Sequence, residues 1–314
     1  MHDRSKVPAP GVITGRYGTI GAVYFQEIDF WPLNTTLWVS DFHGNYERFI
    51  YYLLQRVNFA THSGKSGVPG VNRNDLHTEI ISLPKSTDEQ REIAKALTDC
   101  DDLITALERL ISKKRAIKQG MMQQLLTGKI RLPGFVGAWK RSRLGDVLAI
   151  RHGKSQKAIE SPSGQYPILA TGGQIGWTNT PLYRKPSVLI GRKGTIDRPQ
   201  FQAEPFWTVD TLFYTEISPA ADPRFLYYVF LTVDWRSMNE ASGVPSLSST
   251  RVEGVEVSIP PFEEQIKIRT VLDDVDSEIG VLRTRLEKAR SIKQGMMQEL
   301  LTGRTRLPIA EAAS

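Results

Sequence analysis

The sequence predicts an α+β chain in which two irregular β-rich domains alternate with two long helices that pair as an antiparallel coiled coil. Three observations predict it. The chain repeats itself, so what one half builds the other builds again. Each copy closes on apolar residues spaced alternately four and three apart, the spacing of a coiled-coil seam. The remainder is rich in Gly, Pro, Thr and aromatic residues and breaks into short β-like runs.

The repeat is strongest at the ends of the copies. IKQGMMQQLLTG (117–128) recurs as IKQGMMQELLTG (292–303), eleven of twelve positions matching, and both runs go on to Arg-Leu-Pro at Arg131–Pro133 and Arg306–Pro308. Upstream, in conserved order along the chain, VITGRYGTI (12–20) parallels VLIGRKGTI (188–196), and Phe30-Trp31 parallels Phe206-Trp207. RFIYYLL (48–54) parallels RFLYYVF (224–230), and SGVPGVNRNDL (66–76) parallels SGVPSLSSTRV (242–252). The expected division is a first β-rich domain over 1–85, a helix and connector over 86–133, a second β-rich domain over 134–262, a helix over 263–308 and a tail over 309–314. The copies are unequal. The second opens near Trp139 with LGDVLAIRHGKSQ (144–156) and YPILATGG (166–173), and nothing before Val12 corresponds. The first domain is therefore expected to lack roughly forty residues of its front, several strands' worth. It is either a shortened product or completed by another chain.

The first helix is expected to start near Ser86, where Ser86-Thr87-Asp88-Glu89 fits a reciprocal capping box. Its seam is Ile93, Leu97, Cys100, Ile104, Leu107 and Ile111, and Gly128 is a natural stop. The second follows Pro260-Pro261 with the seam Ile268, Leu272, Val275, Ile279, Leu282 and Leu286, and stops at Gly303. Helices of this length reach about 60 Å at about 1.5 Å per residue. A narrow stripe on so long a helix needs a partner helix, and the other copy is the obvious one. Past Ile111 and Leu286 the stripe slips, to Ile117 and Ile292. Gly120 and Gly295 then sit inside the helix, each costing about 1 kcal/mol relative to Ala. Met121, Met122, Met296 and Met297 follow. Glycine beside methionine suits a close, adaptable contact, so these six residues are candidates for docking another subunit; a kink or plain core packing explains them equally well.

In the globular parts, 187–191, 211–217 and 252–259 read as strands, and 48–57 and 224–233 as short helices. Two loop motifs recur. Gly-Arg-x-Gly-Thr follows an apolar strand in each copy, and an arginine between glycines suits a phosphate or a guanine; Arg16, Tyr17, Thr19, Arg192, Lys193 and Thr195 are candidate DNA contacts. The segment after Ser-Gly-Val-Pro keeps its scaffold and changes its polar residues, Asn72, Arg73 and Asn74 against Ser246, Ser248 and Arg251. Two readers of different sequences should look like this, although for any single residue an ordinary polar turn serves as well.

The bulk numbers agree without deciding. The chain has 314 residues, enough for two domains, with 40% hydrophobic and 24% charged residues as in ordinary globular proteins. Its charge of +6 tilts mildly toward a polyanionic partner. No apolar run has the length of a membrane span, and the first residues lack the apolar core of a secretory signal. Cys100 is the sole cysteine, which fits a reducing cytosol. Gly64-Lys65-Ser66 and Gly153-Lys154-Ser155 resemble the end of a phosphate loop, but Phe59 and Leu148 stand where its first glycine belongs. Lys65 and Lys154 instead join the candidate DNA contacts. The five histidines are scattered and form no metal motif, and no catalytic tetrad or cofactor fingerprint occurs.

Two long helices ending in KQGMMQ-x-LLTG and Arg-Leu-Pro, alternating with domains that carry Gly-Arg-x-Gly-Thr, Phe-Trp, Arg-Phe-x-Tyr-Tyr and Ser-Gly-Val-Pro, resemble the specificity subunit of type I restriction-modification systems. The resemblance implies that each target-recognition domain reads one half of a bipartite site on double-stranded DNA. It implies that the paired helices set the spacer and dock methyltransferase subunits, with restriction subunits joining the complex. No cofactor is then expected in this chain; S-adenosylmethionine, ATP and Mg would belong to the partner subunits. The shortened first domain adds the expectation of a self-dimer built on two second domains, or of an inactive fragment. The alternative is a truncated, non-catalytic coiled-coil assembly protein that binds methyltransferase subunits without productive DNA reading. A self-contained methyltransferase or nuclease is disfavoured by the absent motifs.

Overall fold

The computed structural model describes residues 4–62 and 70–307. The chain forms two compact units, one of residues 1–111 with 281–314 and the other of 112–280. The first unit holds β1 (Gly11–Gly15), β2 (Val23–Gln26), β3 (Thr36–Trp38), α1 (Glu47–Leu54), α2 (Arg73–Leu76) and the start of α3 (Thr87–Leu125). The second holds β4 (Lys140–Arg143), β5 (Leu148–His152), β6 (Tyr166–Ala170), β7 (Gly173–Thr178), β8 (Ser187–Gly191), β9 (Gln200–Gln202), β10 (Trp207–Thr208), β11 (Leu212–Ile217), α4 (Pro223–Phe230), α5 (Ser249–Glu253), β12 (Glu256–Ile259) and the start of α6 (Phe262–Leu300). Each unit thus combines a globular part, the first portion of the long helix that follows it and the last portion of the other. Both long helices have 39 residues, or about 58 Å of rise. Among the described residues no helix is long and apolar enough to cross a membrane.

The sheets carry the duplication to the register. In the first unit the order is β2-β1-β3, all antiparallel, with Ile13 opposite Tyr24 and Trp38. In the second it is β5-β11-β8-β9, with Leu189 opposite Gln200 and Tyr214. β1, β2 and β3 thus match β8, β9 and β11, and the described residues of the first unit contain no counterpart of β4 to β7. The second unit adds a three-stranded sheet, β10-β6-β7, and a two-stranded one, β12-β4.

The predicted seams are buried except at half-buried Cys100, Ile104 and Val275, but they pack against more than a partner helix. Ile93 and Leu97 pack on Phe49, Tyr52 and Leu53 of α1 and on Leu300 and Leu301. Ile268 and Leu272 pack on α4 and on Met122, Leu125 and Leu126. Helix-to-helix packing proper joins Leu107 and Ile111 to Leu282, Leu286 and Ala289 in the first unit. Ile117 and Ile292, where the stripe slips, are exposed. The stretch 252–259 is only half strand. Ser248 accepts a hydrogen bond from the Arg251 amide and so nucleates α5, and β12 starts after Gly254.

The capping box is realised on one side only. Ser86 Oγ accepts from the Glu89 amide at 3.4 Å. The Glu89 carboxylate, fully buried, receives Arg306 through Nε and Nη2. Its counterpart Glu264 receives Arg131 in the same two-pronged way at 2.6 Å. The arginine of each Arg-Leu-Pro therefore fastens the end of one long helix to the first turn of the other. Gln90 and Gln265, also buried, close the neighbouring backbone: Gln90 bonds the Tyr46 amide and the Pro84 carbonyl, Gln265 the Asp222 amide and the Pro260 carbonyl.

A second repeated contact explains the lysine of KQGMMQ. Lys118 pairs with Asp276 at 2.7 Å and Lys293 with Asp101 at 2.7 Å. Each aspartate also accepts a buried tyrosine hydroxyl, Tyr228 at 2.8 Å and Tyr52 at 2.9 Å. Burial, and then the neighbouring carboxylates, push both phenols above their ordinary range, Tyr228 strongly, so both remain donors.

Candidate nucleic-acid interface

The two loop motifs, far apart in sequence, meet in space in both units. Tyr17 bridges to Gly70, and the Val71 amide donates to the Arg16 carbonyl at 3.0 Å. Lys193 bridges to Ser246, and the Leu247 amide donates to the Arg192 carbonyl at 2.9 Å. The glycines make the turn possible. A Cβ on Gly15 would lie 2.3 Å from the Thr19 carbonyl oxygen, and one on Gly191 2.1 Å from that of Thr195. Gly18 and Gly194 take φ of 76° and 87°, the left-handed region. The base of each loop hangs on one carbonyl: the amides of Arg16 and Tyr17 donate to Thr35, those of Arg192 and Lys193 to Thr211.

The candidate side chains are not equally free. Tyr17, Thr19 and Lys193 are exposed, and Arg16 and Thr195 are half-buried, with the Arg16 guanidinium 5.0 Å from the Tyr17 ring centre. Arg192, half-buried, donates to the Asp210 carbonyl at 3.1 Å. Asn72 caps α2 by accepting the Asn74 amide at 3.0 Å, and Ser248 holds the equivalent position at α5. Glu240 accepts from both Ser248 and Arg251, at 3.1 and 3.2 Å. Arg73 and Asn74 are exposed, and Ser246 is half-buried. Lys154 is exposed and stands apart from the loop pair, its backbone bonded to Thr208 and to the Trp207 indole. Lys65 and the preceding part of the Ser-Gly-Val-Pro segment in the first copy lie outside the described residues.

Sequence reasoning missed two neighbours of these loops, and an apolar patch elsewhere in the second unit. Thr171 lies against Gly194, where an added Cβ would stand 3.7 Å from its Oγ1. The paired glycines of 166–173 were the available signal. Glu240 holds two candidates at once, and no local pattern marks it. Ile175 and Trp177, two apart on β7 and both exposed, form an apolar patch in the second unit that a search for polar loops passes over.

Of the candidate docking residues, Met122 is buried in the core of the second unit with Met121 against it. Met296 and Met297 pack half-buried on the α1 core, Met296 beside Cys100. Gly120 and Gly295 are half-buried, and an added Cβ at either would meet nothing within 4 Å beyond its own turn of helix.

The family model described as "Type I restriction modification DNA specificity domain" matches residues 4–119 and 137–290. The chain belongs to this specificity family. The type I restriction enzyme MjaVIII specificity subunit of Methanocaldococcus jannaschii is 23% identical over 299 residues, covering 82% of this chain and 70% of that protein. The EcoprrI specificity subunit of Escherichia coli is 23% identical over 144 residues, 44% of this chain and 36% of that protein. In fold, the chain is similar to the crystal structure of a type I restriction-modification S subunit from M. genitalium. That match has a TM-score of 0.71 and 17% identity, and covers 98% of this chain and 86% of the other. The two matched segments of the specificity family fall one on each copy of the repeat. In family terms, the β-rich parts are target-recognition domains, and α3 and α6 are the long helices that follow them.

Proposed function

We propose that the chain is the non-catalytic, DNA-reading subunit of a type I restriction-modification complex and that each unit reads one half of a bipartite site. The carrying observation is that one loop pair is built twice on the same scaffold with unlike side chains: Arg16 and Tyr17 beside Asn72–Asn74, and Arg192 and Lys193 beside Ser246–Arg251. A scaffold repeated with its polar tips changed suits two readers of different bases. Glycine turns bring arginine to the phosphate or the guanine edge, and asparagine can bond adenine. Methyltransferase and restriction subunits would dock on the long helices and bring S-adenosylmethionine, ATP and Mg with them. Gly120 and Gly295, with open space where a Cβ would stand, are where a partner could approach closest.

Footprinting on DNA with a cognate methyltransferase tests this. Two separated protected segments, with Gly191→Ala losing one of them, would support it; no sequence-selective protection would sink it.

A further inference from the structure

Arg251, in the second unit, is fastened along its length and left open at its tip. Its amide donates to Ser248 Oγ at 3.3 Å, the cap that starts α5. Buried Leu247 and Val252 pin this short helix at both ends. Arg251 Nε donates to Glu240 Oε1 at 3.2 Å, and Ser248 Oγ donates to the same oxygen at 3.1 Å. Glu240 is in turn fixed through the backbone. Its amide donates to the Ser246 carbonyl at 3.1 Å, and the adjacent Asn239 Oδ1 accepts from the amides of Ala241 and Ser246 at 3.1 and 2.9 Å. Arg251 and Glu240 are both exposed, and among the described residues nothing bonds Arg251 Nη1, Arg251 Nη2 or Glu240 Oε2. An exposed ion pair contributes little to stability, so this much fastening serves to aim the guanidinium rather than to hold the fold. The equivalent position in the first unit is Asp75, also exposed. One place on the scaffold therefore offers donors in one unit and acceptors in the other.

We propose that Arg251 and Glu240 together read one G·C base pair in the half-site of the second unit. The inference rests on the reading of this unit as a DNA reader and names what it reads. In the major groove guanine presents two acceptors, N7 and O6, and its partner cytosine presents the N4 amino donor beside them. The two free guanidinium nitrogens supply two donors and Glu240 Oε2 supplies an acceptor, the complementary set. An A·T pair offers a donor at adenine N6 in place of the guanine O6 acceptor, and an acceptor at thymine O4 in place of the cytosine donor, so it mismatches both residues. A G·C pair turned end for end sets the cytosine amino group against the guanidinium. Glu240 thus acts twice: it aims the guanidinium by taking Nε, and it meets the cytosine with its other oxygen. Fixing the fork in advance reduces the side-chain freedom lost on binding.

The test selects bound DNA from a duplex library randomised over both half-sites, using the full-length chain with its cognate methyltransferase. The expected result is one fixed G·C pair in the half-site whose protection Gly191→Ala abolishes. Glu240→Gln and Arg251→Lys should each cut discrimination at that pair at least about tenfold, or about 1.4 kcal/mol, and leave the other positions unchanged. Arg251→Lys keeps its charge, so the slope of log affinity against log salt should hold, which a loss of structure would not allow. Replacing that guanine by 7-deazaguanine, which lacks the N7 acceptor, should weaken the unaltered chain about tenfold and the Arg251→Lys chain little. A variant that misfolds leaves the analogue measurement on the unaltered chain intact. A half-site with no fixed G·C pair, losses spread over all positions, or indifference to the analogue would overturn the assignment and leave the two-half reading standing. A library from which the unaltered chain selects nothing would overturn both.

Discussion

Tyr228 shows how much a single buried group carries. Its hydroxyl lies 2.6 Å from Asp273 and 2.8 Å from Asp276, yet one proton serves only one acceptor at a time. The two carboxylates are tolerated together because Arg224 bonds Asp273 at 2.8 Å and Lys118 bonds Asp276. Tyr228→Phe removes a donor to a charged acceptor and should cost about 2 kcal/mol of stability, read from urea denaturation. The phenol's shift has its own consequence. A folded-state value above the ordinary 10.0 means that the folded chain holds the proton more tightly. That stability is complete below about pH 10 and declines as pH rises beyond it. The same holds for Tyr52, so a Tyr52→Phe, Tyr228→Phe double variant should be less stable at neutral pH and flatter in its alkaline decline. None of these partners was legible in the sequence. Arg-Phe-x-Tyr-Tyr and KQGMMQ could be found as repeats, but what joins them is a fold-level contact between residues 118 and 276, and no periodicity encodes it. At the loops the sequence did better. Gly191 sits where Gly-Arg-x-Gly-Thr demands it, and Gly191→Ala, with its Cβ driven into backbone, should distort that loop and abolish sequence-selective protection by the second unit in footprints.

At the scale of elements, what could be read was what the chain's own repeats and periodicities state. The long helices, the strand at 187–191 and the helix cores within 48–57 and 224–233 follow from apolar spacing and from Gly and Pro stops. The residues that deceived were those with two local uses. Val252 and Glu253 fit an alternating strand, yet the Ser248 cap draws them into α5. Glu89 fits a capping box, yet it turns to Arg306, because a buried carboxylate gains more from a two-pronged guanidinium than from one amide. Gly120 and Gly295 remain the informative positions on α3 and α6. A methyl group meets nothing at either, and alanine is the better helix former, so Gly120→Ala and Gly295→Ala should each stabilise the free chain by about 0.5–1 kcal/mol. If a methyltransferase subunit packs closely there, the same substitutions should weaken its capture, measured by titration with that subunit. Greater stability with unchanged capture would remove these glycines from the docking surface.

For the whole molecule, the duplication makes a prediction that neither unit makes alone. Two readers that share a scaffold and differ in their polar tips should fail separately. Arg16→Ala should weaken contacts at one set of base pairs, and Arg192→Ala at another, with no overlap in the footprints. Each lost phosphate contact should also lower the slope of log affinity against log salt by about 0.9, while a lost base contact changes specificity at one position and leaves the slope alone. Exposed Lys193 has the reach for a phosphate; Arg192, steered by the Asp210 carbonyl, is better placed to be directional. Lys193→Ala is therefore expected to flatten the salt dependence and Arg192→Ala to relax sequence preference at the same half-site. The contrast between units matters as much. The second unit has a complete sheet behind its loops, whereas the first has an open β3 edge and a cavity beneath α2, the element that presents Arg73 and Asn74. Ordering a loop on an incomplete support costs binding free energy, so half-site protection by the first unit should be the weaker of the two. Footprints of equal strength at the two half-sites would show that this difference in support has no bearing on reading.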